Sequence, residues 1–304
     1  MRRFQSFLLL AAVITVTSAI IGAQVRVDVR LVNVVATVTD ERGRYVSHLS
    51  QEDFLLDEDG KRQEISHFSQ DRDVPVSVGI VLDTSGSMER KIRTAIEAVD
   101  RFIRQIHQAD EIFLITFSSQ PVLRQDFTDD RDKLSQALRR IPATGGTALY
   151  DALSEALLKV RNGRHAKRAI LVITDGQDTS STTKLEEVLN RIRESELLVY
   201  PIGISPLNQA QGSAVSSKRD EVDFEILRAF AENSGGRAFL LSEGFSGGTQ
   251  IEKVLGTVAD ELRSQYTLGY YPAHADDGRY HSIRVRTKTR NPVRARKGYI
   301  ATGW

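Results

Sequence analysis

Between residues 76 and 263 the chain repeats one pattern: a short run dominated by apolar side chains, then a segment whose apolar residues recur every three or four positions. A strand wetted on one face alternates polar with apolar. Runs such as 76–82, 112–117, 168–174 and 197–204 do not, so they belong to a sheet covered on both faces, with the intervening helices as the cover. In 88–107 the apolar positions Ile92, Ala95, Ile96, Val99, Phe102, Ile103 and Ile106 share one helical face. Leu149, Ala152, Leu153, Ala156, Leu157 and Val160 stripe a second helix, and further helices are predicted over 184–195, 223–233 and 250–263. Strands at 122–127, read as an edge, and 237–241 bring the total to six. The expected fold class is α/β: a doubly wound, mostly parallel six-stranded sheet. Pro201 lacks an N–H, which predicts a bulge or an early end to the strand that holds it.

The flanks read differently. Residues 25–38 alternate β-branched with polar side chains, and Asp40-Glu41-Arg42-Gly43 supplies a turn. Asp57-Glu58-Asp59-Gly60 is a hairpin signal between the short extended runs 54–56 and 64–68. After Arg263 come β runs at 266–271, 280–288 and 293–300, with Asn291-Pro292 in the last turn. Because the two β flanks bracket the α/β unit, they are expected to pair into one small sandwich-like module. The expected organisation is an N-terminal β segment (24–73), an α/β domain (74–263) and a C-terminal β segment (264–304). Residues 1–23 stand apart. Arg2 and Arg3 precede an uncharged stretch with an apolar heart at 7–16, the form of a signal peptide cleaved after Ala19 or Ala23. The same stretch is just long enough to remain as a membrane anchor. Either reading places the folded part outside the cytosol, secreted or held in the periplasm or at the cell surface. The polar stretch 205–222 has no periodicity and reads as a mobile loop.

The 304 residues include no cysteine, which removes disulfides, thiolate metal sites and a cysteine nucleophile. Lys+Arg number 41 against 40 Asp+Glu, a balance that argues against a dedicated nucleic-acid binder. Residues 278–304 carry eight Lys+Arg and no acid. Since 283–288 alternates, those basic side chains should line one strand face, solvated or protecting an edge, with a patch for anionic polymers or headgroups as the other reading. The six histidines, at 48, 67, 107, 165, 274 and 281, show no metal-binding spacing, and His107 reads as a favourable charge at a helix end.

The chemistry gathers where strands give way to helices. Asp83-Thr84-Ser85-Gly86-Ser87 ends the first parallel strand, Thr144-Gly145-Gly146-Thr147 opens a helix, and Thr174-Asp175-Gly176 closes a later strand. Open α/β sheets bind ligands at this carboxyl edge. Ser85, Ser87 and Thr147 offer hydroxyls, and Asp83 and Asp175 carboxylates. An oxygen set without His or Cys suits a hard cation, Mg²⁺ first, with Mn²⁺ or Ca²⁺ as alternatives. Helix capping by Asp83, Ser85 or Thr147 is the plainer reading, but it accounts for one residue at a time. Asp178, nearby, reads as a solvated loop carboxylate. No Gly-x-Ser-x-Gly elbow or acid–histidine set accompanies a serine, and an aspartyl phosphatase wants a second Asp where this chain has Ser85. The chain is therefore read as not an enzyme.

Asp83-x-Ser85-x-Ser87, Thr147 and Asp175 resemble, in order and residue for residue, the metal-ion-dependent adhesion site of von Willebrand factor type A domains, over about 76–263. The flanking segments Glu52-Asp53-Phe54, Glu58-Asp59-Gly60, 266–271 and 294–299 resemble the bacterial, export-associated subgroup of that family. The resemblance implies that Ser85, Ser87 and Thr147 ligate the metal directly while Asp83 and Asp175 act through bound waters. Neutral ligands leave a cation electron-poor, so its open position would accept a carboxylate from a partner. The implied function is metal-dependent protein–protein interaction or cell adhesion, with a partner presenting Asp or Glu, no nucleic acid, and membrane contact only through an uncleaved N-terminal segment. An envelope or secreted assembly subunit docking through basic C-terminal strands is the alternative, and a metal-dependent hydrolase ranks last.

Overall fold

The computed structural model describes residues 31–70, 74–175, 177–205, 223–242, 247–274 and 276–302. The leader or anchor at 1–23 and the loop beyond Ser205 lie outside them. Strands β1 (Val32–Val38), β2 (Phe54–Glu58), β3 (Lys61–Gln63) and β4 (His67–Ser69) come first. The α/β unit follows as β5 (Val76–Asp83), α1 (Ile92–Gln105), β6 (Glu111–Phe117), β7 (Pro121–Thr128), α2 (Arg131–Ala137), α3 (Leu149–Val160), β8 (Lys167–Thr174), α4 (Leu185–Glu194), β9 (Leu198–Ser205), α5 (Phe224–Ser234), β10 (Phe239–Ser242) and α6 (Gly247–Arg263). Then come β11 (Gln265–Tyr270), β12 (Tyr280–Thr287), β13 (Val293–Ala295) and β14 (Gly298–Ile300). No helix among the described residues is long and apolar enough to cross a membrane.

The central sheet runs β10-β9-β8-β5-β6-β7, parallel except for β7 at one edge, as the apolar runs require. Successive side chains of each inner strand enter opposite cores. Val78, Ile80 and Leu82 of β5 pack with Phe102 of α1, Leu134 of α2 and Leu255 of α6. Val81, Phe113 and Ile115 pack with Leu153 of α3, Val188 of α4 and Phe230 of α5. Chain order leaves β5 for β6 on one side and returns to β8 on the other, so a switch point lies at the carboxyl end of β5.

The flanks form two antiparallel four-stranded sheets, β13-β1-β11-β4 and β14-β12-β2-β3, each mixing strands from before and after the α/β unit. Val34, Leu56, Tyr266, Leu268 and Ile283 fill their common core. The β2–β3 hairpin turns on Asp59 (φ 47°) and Gly60 (φ 77°), the positive pair that a two-residue type I′ turn needs.

Three expectations change. Pro201 neither breaks nor bulges β9: it pairs in register with Val172. Its N-side edge faces the chain before β10 begins, opposite Ile202, and Val199 two residues earlier on that edge sends its N–H to Ser234 Oγ (2.9 Å). The run 293–300 is two strands in different sheets, split at Arg296 and Lys297. Buried Arg296 donates to the carbonyls of Ser195 (3.1 Å) and Asn33 (2.6 Å), turning the chain inward there. Helix α2 was not expected. Only Leu134 of its seven residues is buried, and its start is set by Asp130, whose carboxylate accepts from the N–H groups of Asp132 and Lys133.

Glu261, fully buried on α6, fastens the flanking sheets to the α/β unit. It pairs with Arg294 of β13 (2.5 Å) and accepts from Tyr200 Oη of β9 (2.7 Å). Tyr45 Oη and Thr37 Oγ1 stand at 3.5 Å. Glu261→Ala strips Arg294 and Tyr200 of their shared acceptor, so urea unfolding should show a loss of about 3 kcal/mol. Glu261→Gln, which keeps an acceptor for Tyr200, should lose less.

Candidate metal centre

The carboxyl ends of β5 and β8 lie side by side because Leu82 is in register with Ile173. This brings Asp83 beside Thr174: Thr174 Oγ1 donates to Asp83 Oδ2 at 2.6 Å, and the Ser85 N–H donates to Asp83 Oδ1 at 2.8 Å. Asp83 has no exposed surface. Burial disfavours its charged form and outweighs these hydrogen bonds, and nearby Asp175 adds repulsion, so its carboxyl is pushed up to about 6. From there a row of oxygens leads outward. Ser85 Oγ is 3.0 Å from Ser87 Oγ, and Ser87 Oγ donates to Asp175 Oδ1 at 2.8 Å.

The third loop is tied on through its backbone. The Gly86 N–H donates to the Gly145 carbonyl (3.0 Å), and the Thr144 N–H to the Thr84 carbonyl (2.9 Å). Gly145 takes φ +85°, where a side chain would be strained. Thr147, 5% exposed, is fixed from behind: its N–H donates to Thr179 Oγ1 (2.9 Å), and its carbonyl accepts from Thr179 and Ser180. No hydrogen bond to the Thr147 hydroxyl is found among the described residues. Hydrogen bonds thus join Asp83, Ser85, Ser87 and Asp175 through side chains, and bring Thr147 to them through the main chain.

Capping does not explain these residues. Ser85 precedes a 3₁₀ turn at Gly86–Met88 and makes no side-chain cap. Helix α1 starts at Lys91 and α3 at Ala148, and neither has a side-chain cap. Asp178 is not the solvated carboxylate expected: it accepts from Tyr150 N (3.2 Å) and Ser181 Oγ (2.5 Å), joining its loop to the first turn of α3. Asp151 reciprocates, accepting from the N–H groups of Thr182 (2.9 Å) and Thr183 (2.8 Å).

Two features escaped the sequence reading. Lys91 Nζ lies 2.6 Å from Asp175 Oδ2, with only a tenth of its side chain exposed. Lys91 is the N-cap of α1, just past the 3₁₀ turn that holds Ser87, and no local pattern pairs it with Asp175. His274 and His281, seven apart in sequence, stack with ring centroids 3.6 Å apart beside Glu58. Their approach depends on strand pairing and has no local signature. His107 directly follows the C-cap of α1, Ile106, and its Nδ1 accepts from the Ala109 N–H (3.2 Å).

A family model for the von Willebrand factor type A domain matches residues 78–177. Human inter-alpha-trypsin inhibitor heavy chain H4 is 26% identical over 215 residues, covering 66% of this chain and 22% of that protein. The chain thus spans about a fifth of the length of this relative. Among solved structures, a von Willebrand factor type A protein from Catenulispora acidiphila superposes with a TM-score of 0.52 at 13% identity, covering 88% of this chain and 71% of the other. Proximal thread matrix protein 1 from the mussel byssus, solved with a zinc-occupied MIDAS motif, has a TM-score of 0.52 at 15% identity, covering 67% and 49%. The chain contains a von Willebrand factor type A domain, with Asp83, Ser85, Ser87, Thr147 and Asp175 all within or beside its strand-end loops.

The raised Asp83 carboxyl gives a signed prediction. The folded protein holds this proton up to about pH 6, whereas an unfolded Asp loses it near pH 4. Without metal, the charged Asp83 therefore lowers stability progressively as pH rises through that interval. Asp83→Asn keeps an acceptor for the Ser85 N–H and removes the buried charge. In chelator at pH 7 it should be more stable than wild type, by on the order of 1–3 kcal/mol, and the two urea curves should converge at pH 4.

Proposed function

We infer that the protein is a non-enzymatic binding module, working outside the cytosol, that recognises a carboxylate on a protein partner through a divalent cation held by Ser85, Ser87 and Thr147. The observation that carries this reading is the row Ser85 Oγ, Ser87 Oγ, Asp175 Oδ1, spaced at 3.0 and 2.8 Å. Adjacent ligands of an octahedral Mg²⁺ with bonds of 2.0–2.1 Å stand about 2.9 Å apart. The donor set fits that ion: the Ser85 and Ser87 hydroxyls adjoin, the loop at 144–147 is tied beside them, and both oxygens of Asp83 already accept hydrogen bonds. That division supports direct ligation by hydroxyls and an indirect role for Asp83. When bound, the cation would supply a Lewis-acidic site whose charge the hydroxyls leave largely unneutralised. Its identity as Mg²⁺, with Mn²⁺ or Ca²⁺ as alternatives, is part of the proposal. The zinc in the mussel protein's MIDAS motif belongs to that protein, and it supports cation binding at this kind of site.

The basic C-terminal strands offer less support for a docking role. Arg286 pairs with Asp57 (2.5 Å), Arg294 with Glu261 (2.5 Å) and Lys297 with Glu232 (2.6 Å), so much of that charge is balanced internally. The signal-peptide form of residues 1–23 supports the extracytoplasmic placement, with the folded part assigned to 74–263 and its β flanks.

Thr147→Ala and Ser85→Ala should each weaken Mn²⁺ binding, measured by calorimetry, at least about tenfold, equal to 1.4 kcal/mol. Their circular dichroism should match wild type. A pull-down from source extract should recover a partner in Mg²⁺ with wild type and not with Thr147→Ala or in chelator. Equal recovery in all arms would refute the proposal.

A further inference from the structure

We propose that Glu58, His274 and His281 form a second metal site, one for zinc, in the flanking sheets away from the strand-end loops of the α/β unit. One ligand atom from each lies within 4.8 Å of the other two. Glu58 ends β2 and His281 lies on β12, adjacent strands paired in register at Glu58↔Ile283, while His274 sits on the loop between β11 and β12. Glu58 is 4% exposed and His281 8%.

The surroundings resemble a ligand shell with its supports. Asp59 Oδ2 is 2.8 Å from His281 Nδ1, and Asp59 is itself held by the N–H (2.8 Å) and hydroxyl (3.0 Å) of Ser282. A carboxylate on Nδ1 fixes the tautomer that leaves Nε2 as the ligand. Nε2 faces Asp277 Oδ1 at 3.1 Å, a proton-mediated contact that a cation on Nε2 would replace. Across the cluster His274 Nε2 is 3.3 Å from Glu58 Oε1, an oxygen oriented by the hydroxyls of Tyr270 (2.6 Å) and Tyr299 (2.9 Å). Zinc bonds of 2.0–2.1 Å in a tetrahedron separate neighbouring ligand atoms by about 3.3 Å. Two imidazoles with a carboxylate select zinc over magnesium. The rings are stacked within 9° of parallel, so their lone pairs do not yet converge. Closing the site turns one ring out of the stack. His274 is the one that turns, since it lies on a loop and keeps about a quarter of its side chain exposed.

The test uses the full chain carrying Ser85→Ala and Thr147→Ala together, which weakens cation binding at the strand-end loops so that a tight site elsewhere stands apart. Calorimetric titration with Zn²⁺ should give one site per chain, and Co²⁺ should produce the intense visible bands of tetrahedral coordination. Adding His274→Ala should weaken Zn²⁺ binding about 100-fold or more and abolish those bands. His274 is on a loop, so circular dichroism should confirm an intact fold. Unchanged Zn²⁺ affinity in His274→Ala, absence of Zn²⁺ binding in the parent, or an octahedral Co²⁺ spectrum would each overturn the proposal.

Discussion

A carboxylate shut away from water organises the strand-end loops. Asp83 is the last residue of a fully buried strand, and its two oxygens are satisfied by the main chain of its own loop and by the hydroxyl that ends β8. An unpaired polar group in that position would be expensive. Satisfying it dictates that the Ser85 N–H curl back and that β8 end in Thr174 at this register. Ser85, Ser87 and Asp175 then follow from the geometry of those two chain exits. The loop at 144–147 is positioned by a different means, main-chain hydrogen bonds to Thr84 and Gly86, which explains how it can present a threonine hydroxyl that bonds nothing else among the described residues.

The flanking sheets rest on the same economy of buried charge. Each mixes strands from both ends of the described chain, so neither flank completes a sheet alone. Their junction with the α/β unit includes several buried polar groups. Glu261 takes Arg294 and Tyr200, and Arg296 reaches the carbonyls of Asn33 and Ser195, one in the flank and one just after α4. Apolar contact is nonetheless continuous, since partly buried Val35 of β1 packs against the core that α6 covers. The charged groups fix orientation across this junction, and the apolar surface supplies the attraction.

How far all this was legible depends on the range of the interaction. Continuous apolar runs and helical stripes are local signals, and they revealed the six strands and five of the six helices of the α/β unit. The helix at 131–137 buries one leucine and so leaves almost no stripe. Pro201 misled because the rule against proline in a sheet concerns the missing donor, and that donor's edge faces chain before β10 starts. The five oxygen-bearing residues were legible through spacing and resemblance, since each sits at a strand or helix boundary that the local signals locate. Asp178 and the His274–His281 stack were not. What they do is set by residues 28 positions away, at Tyr150, and more than 200 away, at Glu58.

Lys91 shows why charge counting from the motif alone falls short. Asp83 and Asp175 lie close, and the repulsion is felt: burial raises the Asp83 carboxyl most, and Asp175 adds a small further rise. Two acids so close in a low-dielectric pocket tend to separate or to share a proton. Here the Lys91 ammonium sits on the outer oxygen of Asp175, leaving the inner oxygen to accept from Ser87. One carboxylate is thereby balanced by a protein cation and the other by hydrogen bonds. On the proposed reading, a cation arriving at the hydroxyl row between them would meet the attraction of at most one unbalanced acid. On that reading its affinity would depend on geometry more than on charge, which places the weight on the loop contacts that hold Ser85, Ser87 and Thr147 in place.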